Sequence, residues 1–195
     1  MTTGYYDREA TRYDESRGGA ERARAAADAV AALVPPGGTV LDVAGGTGIV
    51  SAELAAQGRD VVVVDLSVGM LRLAAERLPG RAAAGRGDRL PVADASVDLV
   101  TTIWLLHLLP VEQADAVVVE AARVLRPGGH LVTTVDKHRS HGREGSDADD
   151  RRRVLEVAGQ VGLTAVGDTS FTGRSRWGSA TDGDPVFPVV ALMRD

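Results

Sequence analysis

Short apolar runs alternate along the chain with stretches in which apolar residues recur at helical spacing. Continuous or nearly continuous apolar runs occupy residues 39–43, 61–64, 81–84, 97–102 and 131–135. Runs of this length between glycine and proline breaks are typical of strands that are buried on both faces. Helical spacing is found between them at residues 19–34, 49–57, 67–78, 112–125 and 151–161. The alternation predicts a parallel sheet built from βαβ units with right-handed crossovers.

The C-terminal part of the chain has a different pattern. Apolar runs at residues 163–166 and 186–192 have no helical stretch between them, only a long polar loop. Two neighbouring strands that lack a crossover helix predict an antiparallel pair. Two other polar stretches interrupt the alternation, and we interpret residues 126–129 as a turn and residues 137–150 as a loop.

Composition agrees with one globular domain that covers residues 1–195. Hydrophobic residues make up 44% of the chain and charged residues 25%, which excludes collagen, coiled coils and wholesale disorder. The formal net charge of -5 argues against binding to nucleic acids or to anionic membranes. The chain has no cysteine, which excludes disulfides and thiolate chemistry. Because no secretory segment or long apolar stretch is evident, we expect a cytoplasmic protein with no membrane segment.

The strongest chemical signal lies where the first predicted strand ends. The strand runs into a glycine-rich turn at residues 45–48, and a helix follows at once. Glycine lets a ligand approach the backbone, and the start of a helix offers unpaired N–H groups and a partial positive charge. The second strand ends at Asp65, whose carboxylate can accept hydrogen bonds from both hydroxyls of a ribose. The pair predicts a nucleoside-containing ligand across these two strands; a tight turn with a solvated aspartate is the alternative.

The details of the turn bear on which nucleoside is bound. Ser51 stands where the dinucleotide fingerprint has its third glycine, and no Walker lysine follows the turn. All three tyrosines lie before residue 14, whereas a reductase that uses tyrosine as an acid needs one after the fourth strand. A nicotinamide-dependent oxidoreductase is therefore disfavoured but stays an alternative, as does a non-catalytic protein that binds a cofactor.

Four segments in order resemble the motifs of class I S-adenosylmethionine-dependent methyltransferases. They are residues 42–48 (DVAGGTG), 65–71 (DLSVGML), 87–98 (GDRLPVADASVD) and 123–131 (RVLRPGGHL). The segments Tyr5-Tyr6-Asp7 and Tyr13-Asp14 resemble the N-terminal lid of the small-molecule subgroup, which includes ubiquinone/menaquinone-type enzymes. The resemblance implies a Rossmann-like seven-stranded sheet of order 3-2-1-4-5-7-6, with residues 1–34 as a helical lid. It also implies methyl transfer from S-adenosylmethionine, with S-adenosylhomocysteine as the product.

The acceptor implied by the resemblance is a small molecule methylated on an oxygen, nitrogen or carbon atom, in secondary-metabolite or quinone-like biosynthesis. The resemblance also implies which residues hold the cofactor. They are Tyr13, Asp42, Ala44, Gly45, Gly46, Gly48, Asp65, Leu66, Met70, Asp88, Arg89, Thr102 and Ile103. In this assignment the glycines, with Asp42 beneath them, cradle the methionine part, and Asp65 holds the ribose. Asp88 accepts a hydrogen bond from the adenine amino group.

Three histidines are candidates for a catalytic base, which is needed only if the acceptor must lose a proton. His107 follows the fourth strand, where the family often has a histidine, and His138 and His141 follow the fifth. A histidine that is hydrogen-bonded to backbone is the alternative for His107. No third ligand completes a metal site with His138 and His141, so we expect no bound metal. The sequence leaves both a monomer and a homodimer open.

Aromatic residues allow two interpretations as well. Tyr5, Tyr6 and Tyr13 either close over the cofactor and exclude water or pack the first helix onto the sheet. Trp104 and Trp177 either line an acceptor pocket or, in the case of Trp104, belong to the core.

Overall fold

The computed structural model describes residues 3–137, 147–173 and 185–195, and its seven strands form one twisted sheet. The strands are β1 (Thr39–Val43), β2 (Asp60–Asp65), β3 (Ala82–Ala84), β4 (Val97–Thr102), β5 (Leu125–Thr134), β6 (Leu163–Thr172) and β7 (Val186–Arg194). Their order is β3-β2-β1-β4-β5-β7-β6. Strands β1 to β5 pair in parallel, and β7 is antiparallel to both β5 and β6. The predicted fold class, strand order and C-terminal antiparallel pair are thus confirmed.

Helices cover both faces of the sheet. They are α1 (Thr3–Ser16), α2 (Gly19–Leu33), α3 (Ile49–Ala56), α4 (Val68–Arg77), α5 (Val111–Val124) and α6 (Arg151–Gln160), with short 3-10 turns at Leu106–Leu108 and Asp147–Asp149. One apolar core lies between the sheet and helices α2 and α3, and the other lies between the sheet and helices α5 and α6. Val61 belongs to the first core and Val64 to the second, which explains why β2 is apolar on both faces.

Two predicted boundaries are wrong. The predicted turn at residues 126–129 is an irregular part of β5, which begins at Leu125. The pairing of β4 with β5 shifts register there, and Gly128 has a φ of +77°. The turn residues are therefore accommodated as a bulge inside a continuous strand.

The second wrong boundary is the end of β6, which was predicted at residue 166 but lies at Thr172. Strand β6 is the last strand at its edge of the sheet, and most of its side chains are exposed or half-buried. An edge strand with an exposed face can carry polar residues throughout, so its sequence resembles a loop. No helix within the described ranges is both long and apolar enough to cross a membrane.

Candidate active site

A cavity of about 400 Å³ opens at the carboxyl ends of β1, β2 and β4. Ligands bind at this edge of a doubly wound sheet because the connections from neighbouring strands leave in opposite directions. The predicted cofactor residues that line the cavity are Tyr13, Asp42, Ala44, Gly45, Gly46, Asp65, Leu66, Met70, Asp88 and Ile103. Gly48, Arg89 and Thr102 lie outside its lining.

The glycine-rich turn has a tightly constrained backbone. Ala44, Gly46 and Gly48 all have positive φ angles, of 57°, 58° and 73°. A Cβ atom on Gly45 would lie 2.6 Å from Asp42 Oδ2, which is closer than any real contact. A Cβ atom on Gly48 would lie 3.2 Å from the Cα atom of Ala74 in α4. Gly45 thus keeps the turn against Asp42, whereas Gly48 allows close packing of α4 and does not face the cavity.

Asp42 lies directly beneath this turn and is only 2% exposed. Its Oδ1 atom accepts a hydrogen bond of 2.7 Å from Thr101 Oγ1, and its Oδ2 atom accepts one from Ser51 Oγ. Burial raises the pKa of the Asp42 carboxyl, and the two hydroxyl donors oppose that rise. Ser51 therefore has a specific role, which sequence reasoning missed when it treated this position only as an absent glycine.

Asp65, at the end of β2, connects two loops of the cavity. Its Oδ2 atom accepts a hydrogen bond of 2.9 Å from the Gly46 N–H, and its Oδ1 atom accepts one of 2.8 Å from the Ser67 N–H. Burial raises the pKa of the Asp65 carboxyl, and these backbone donors counteract the effect. Each carboxylate oxygen has a second lone pair, so Asp65 can still accept hydrogen bonds from a ligand in the cavity.

The adenine side of the predicted site differs from the expectation in one respect. Asp88 lines the cavity, but both of its oxygens accept hydrogen bonds from Arg86, Nε to Oδ1 at 2.8 Å and Nη2 to Oδ2 at 2.5 Å. These bonds lower the pKa of the Asp88 carboxyl. Arg86 lines the cavity, whereas the predicted Arg89 is exposed and lies outside it. A β-bridge between the two arginines closes a short turn at residues 86–89, and this turn explains why Arg86 and not Arg89 lines the cavity.

Helix α1 lies along the rim of the cavity, and Tyr6 and Tyr13 form part of its wall. Asp14 accepts a hydrogen bond of 2.6 Å from Thr47 Oγ1 in the glycine-rich turn and one of 2.5 Å from Arg77 Nη2 in α4. Arg77 also donates to the Thr47 carbonyl at 2.6 Å. Burial raises the pKa of Tyr6 to about 12. The Asp14–Arg77 pair therefore ties α1 to the turn that it covers.

We expect the substitution Arg77→Met to weaken binding of S-adenosylhomocysteine by roughly 10-fold, which corresponds to about 1.4 kcal/mol. The variant loses the bonds that hold both α1 and the Thr47 carbonyl in place. Isothermal titration calorimetry measures the affinity, and limited trypsin digestion should cleave within α1 faster than in the parent protein. Arg81→Met is the control, because Arg81 forms an exposed ion pair with Asp60 away from the cavity. Equal affinities in all three proteins would contradict a role for this tie.

His107 does not belong to the lining of the cavity. It lies in the 3-10 turn Leu106–Leu108, is 7% exposed, and has its Nε2 atom 2.6 Å from Lys137 Nζ. An ammonium can only donate, so Nε2 is the acceptor in this pair. The base role of His107 stays a prediction, and His138 lies outside the described residues. Among the residues that are described, no group of three His, Asp or Glu side chains could hold a metal ion.

The part of the cavity wall that follows β4 is mostly apolar and is called the apolar end here. Its lining residues are Trp104, Leu105, Leu108, Leu109, Pro110, Gln113 and Val117. Trp104 has a φ of +61°, and its ring packs edge-on against Phe171 and Phe187, each with a centroid distance of 5.5 Å. Trp104 thus lines the cavity and also contacts the core, and its role in an acceptor pocket stays a prediction. Trp177 lies outside the described residues. The sequence did not identify Gln113 and Val117 as cavity residues, because the spacing of apolar residues along a helix does not show which helical turn faces a cavity.

Comparisons with known proteins give a family for these features. A family model described as a methyltransferase domain matches residues 41–133. The demethylmenaquinone methyltransferase of Beutenbergia cavernae is 45% identical over 136 residues, which cover 66% of this chain and 55% of that protein. The chain thus spans little more than half the length of this curated relative.

Solved structures share the fold at low sequence identity. A Thermotoga maritima protein described as an S-adenosylmethionine-dependent methyltransferase, possible histamine N-methyltransferase, has a TM-score of 0.72, 17% identity and full coverage of both chains. Magnesium protoporphyrin IX methyltransferase from Synechocystis PCC 6803, with bound S-adenosylmethionine, has a TM-score of 0.65 and 18% identity, covering 90% of this chain and 78% of its own. At these identities the likeness concerns the fold alone.

Proposed function

Because this chain carries the methyltransferase domain of the class I S-adenosylmethionine-dependent family, we propose that it transfers a methyl group from that cofactor to a small organic acceptor. The matched region, residues 41–133, contains all four motifs that resemble this family. The resemblance to the family and to its quinone-type subgroup is therefore confirmed. The same match argues against a nicotinamide-dependent oxidoreductase.

The observation that carries the proposal is that one continuous cavity joins the glycine-rich turn, Asp65 and the apolar end. Small-molecule sites commonly have volumes of about 300–1,000 Å³ and combine an apolar wall with a few converging polar groups. Gly45 and Gly46 line the cavity without side chains, which leaves their backbone open to a ligand. Asp65 supplies carboxylate acceptors where the two strands meet. These features fit the polar and the nucleoside parts of S-adenosylmethionine.

Individual residues have distinct roles in this proposal. The turn at residues 45–48 and the start of α3 hold the methionine carboxylate, since unpaired N–H groups and the helix dipole favour an anion there. Asp65 holds the ribose, and Leu66 and Met70 flank the adenine. Asp42 acts from beneath by ordering the turn.

The cofactor supplies an electrophilic methyl group on a sulfonium sulfur. The chain's contribution is to hold the acceptor in line with that group and to exclude water; alignment alone is worth up to about 7–11 kcal/mol in model reactions. Ile103 and Trp104 form part of the cavity wall after β4, while Tyr6 and Tyr13 close it from α1. In this arrangement residues 1–34 act as a lid on a domain that extends over residues 1–195.

We propose a quinone-like planar ring as the acceptor. The apolar end of the cavity and the names of the curated relatives support this class. A cytoplasmic location, the absence of nucleic-acid binding and a monomeric or homodimeric state stay predictions from the sequence.

We expect S-adenosylmethionine and S-adenosylhomocysteine to bind with a stoichiometry of one, and NADH not to bind, in isothermal titration calorimetry. Incubation of the protein with methyl-labelled S-adenosylmethionine and hydroquinone-type acceptors should then give a product heavier by one methyl group. Heat from NADH but none from either S-adenosyl compound would refute the cofactor assignment. Tight binding without transfer to any acceptor in a metabolite extract would instead favour the non-catalytic alternative.

A further inference from the structure

Two arginines lie against the aromatic wall of the cavity. The guanidinium carbon of Arg22 is 3.7 Å from the centroid of the Trp104 ring and 4.9 Å from that of Phe187. The guanidinium carbon of Arg17 is 5.5 Å from the centroid of the Tyr13 ring. Arg22 Nη1 donates a hydrogen bond of 2.7 Å to the Arg17 carbonyl. Trp104 and Tyr13 line the cavity whereas neither arginine does, so each guanidinium lies next to a side chain of the lining and outside the lining itself.

The charges of these two arginines are not balanced by carboxylates. Across residues 3–137, 147–173 and 185–195, the ion pairs join other arginines, such as Arg77 and Arg153, to acids but include neither Arg17 nor Arg22. Burial lowers the pKa of Arg22 to about 10, so the side chain is still protonated at neutral pH. Arg17 is exposed, whereas Arg22 is partly buried, and an unpaired cation that is partly withdrawn from water is unfavourable in the chain alone. Arg22 therefore points to a missing partner.

Two buried donors at the same place also lack acceptors. Arg22 Nε and Trp104 Nε1 are both buried and have no hydrogen-bond partner within the described part of the chain. Trp104 is in addition held in the left-handed region of φ, where its backbone N–H donates to Thr134 Oγ1 at 2.9 Å. Strained backbone and unsatisfied polar atoms are concentrated at functional sites. The aromatic wall with Arg22 therefore has the properties of a binding surface.

We propose that the acceptor carries a carboxylate on its aromatic ring, and that Arg22, with Arg17 beside it, binds this group at the Trp104 end of the cavity. The planar guanidinium fork matches a carboxylate in two parallel hydrogen bonds, and it can stack on an aromatic ring at the same time. In a chain with a net charge of -5, a local pair of unpaired cations also attracts an anion to this end of the cavity. The proposal rests on the proposed function for the identity of the reaction, but anion binding is measured separately.

The test compares ligands that differ only in charge. The protein is saturated with S-adenosylhomocysteine and titrated calorimetrically with two matched pairs of ligands. The first pair is 3,4-dihydroxybenzoate and 3,4-dihydroxybenzamide, and the second is a dihydroxynaphthoate and the corresponding dihydroxynaphthamide. We expect the acid of at least one pair to bind 10-fold or more tightly than its amide. Arg22→Gln should reduce this preference to below about 3-fold, whereas Arg24→Gln should retain it. Arg24 is the matched control because it lies on the same helix with a side chain that is 68% exposed.

Further variants keep the result interpretable. Arg22→Met removes the guanidinium with its charge and its hydrogen bond to Arg17 but keeps an unbranched apolar side chain beside Trp104, so it replaces Arg22→Gln if that variant unfolds at a lower temperature. Equal affinity for acid and amide in the unsubstituted protein, including no measurable binding of either, would overturn the proposal. So would a preference that survives in both Arg22 variants. If S-adenosylhomocysteine does not bind but the acid preference depends on Arg22, the proposed function fails and the anion site stands.

Discussion

The substitution Asp65→Ala is expected to raise the dissociation constant for S-adenosylhomocysteine by roughly 100-fold. Hydrogen bonds to a charged acceptor are each worth about 1.5–3 kcal/mol, and the ribose offers two hydroxyl donors. The substitution also leaves the Gly46 and Ser67 N–H groups without their acceptor, so the glycine-rich turn loses its connection to β2. Isothermal titration calorimetry with the purified variant measures the change directly.

The control for this substitution is Asp60→Ala. Asp60 is at the other end of the same strand, where it forms an exposed ion pair with Arg81. Surface pairs of this kind contribute little to stability, so the control should fold and bind S-adenosylhomocysteine as the parent protein does. An unchanged dissociation constant in Asp65→Ala would remove Asp65 from the cofactor site.

The substitution Gly45→Ala should both destabilise the fold and weaken cofactor binding. The new Cβ atom would meet Asp42 Oδ2 at 2.6 Å and Val63 Cγ1 at 3.1 Å. Asp42 cannot turn aside without breaking its hydrogen bonds with Thr101 and Ser51, so the turn itself must shift. Overpacking of this kind typically costs about 1–3 kcal/mol, and we expect affinity for S-adenosylhomocysteine to fall by at least about 10-fold.

Urea denaturation and calorimetric titration give the two quantities for Gly45→Ala. Gly159→Ala is the matched control, because Gly159 lies in α6 with nothing within 4 Å of a new Cβ atom. Alanine is favoured over glycine inside a helix, so the control should be more stable by about 0.5–1 kcal/mol. If Gly45→Ala behaved like Gly159→Ala, the close approach of the turn to Asp42 would have no functional meaning.

The parts of the site that could be predicted from the sequence are those encoded locally. The glycine-rich turn follows its strand directly, and Asp65 ends the next strand, so the topology alone brings them together. The cavity at this edge follows from the same alternation of strand and helix, whereas the strand order was implied by the family resemblance. Ser51 could have been recognised as a donor to Asp42, because its hydroxyl lies nine positions later in the first turn of α3, just after the glycine-rich turn that Asp42 precedes.

The parts that could not be predicted depend on contacts between distant segments. Asp14 and Arg77 are 63 positions apart, and nothing in either neighbourhood indicates that α1 crosses over the turn before α3. The stacking of Arg22 on Trp104 likewise requires that α2 and the segment after β4 meet, which only the folded chain determines. Arg86 rather than Arg89 lines the cavity because of the local turn at residues 86–89. The types of the residues in that turn do not predict its geometry.

A crystal structure with S-adenosylhomocysteine tests most directly whether the glycine-rich turn and Asp65 form the cofactor site. The predicted result has the ribose hydroxyls within hydrogen-bond distance of the Asp65 carboxylate and the amino-acid end of the ligand against residues 45–48. Density for the ligand elsewhere, or a cleft occupied by the protein's own side chains, would contradict it.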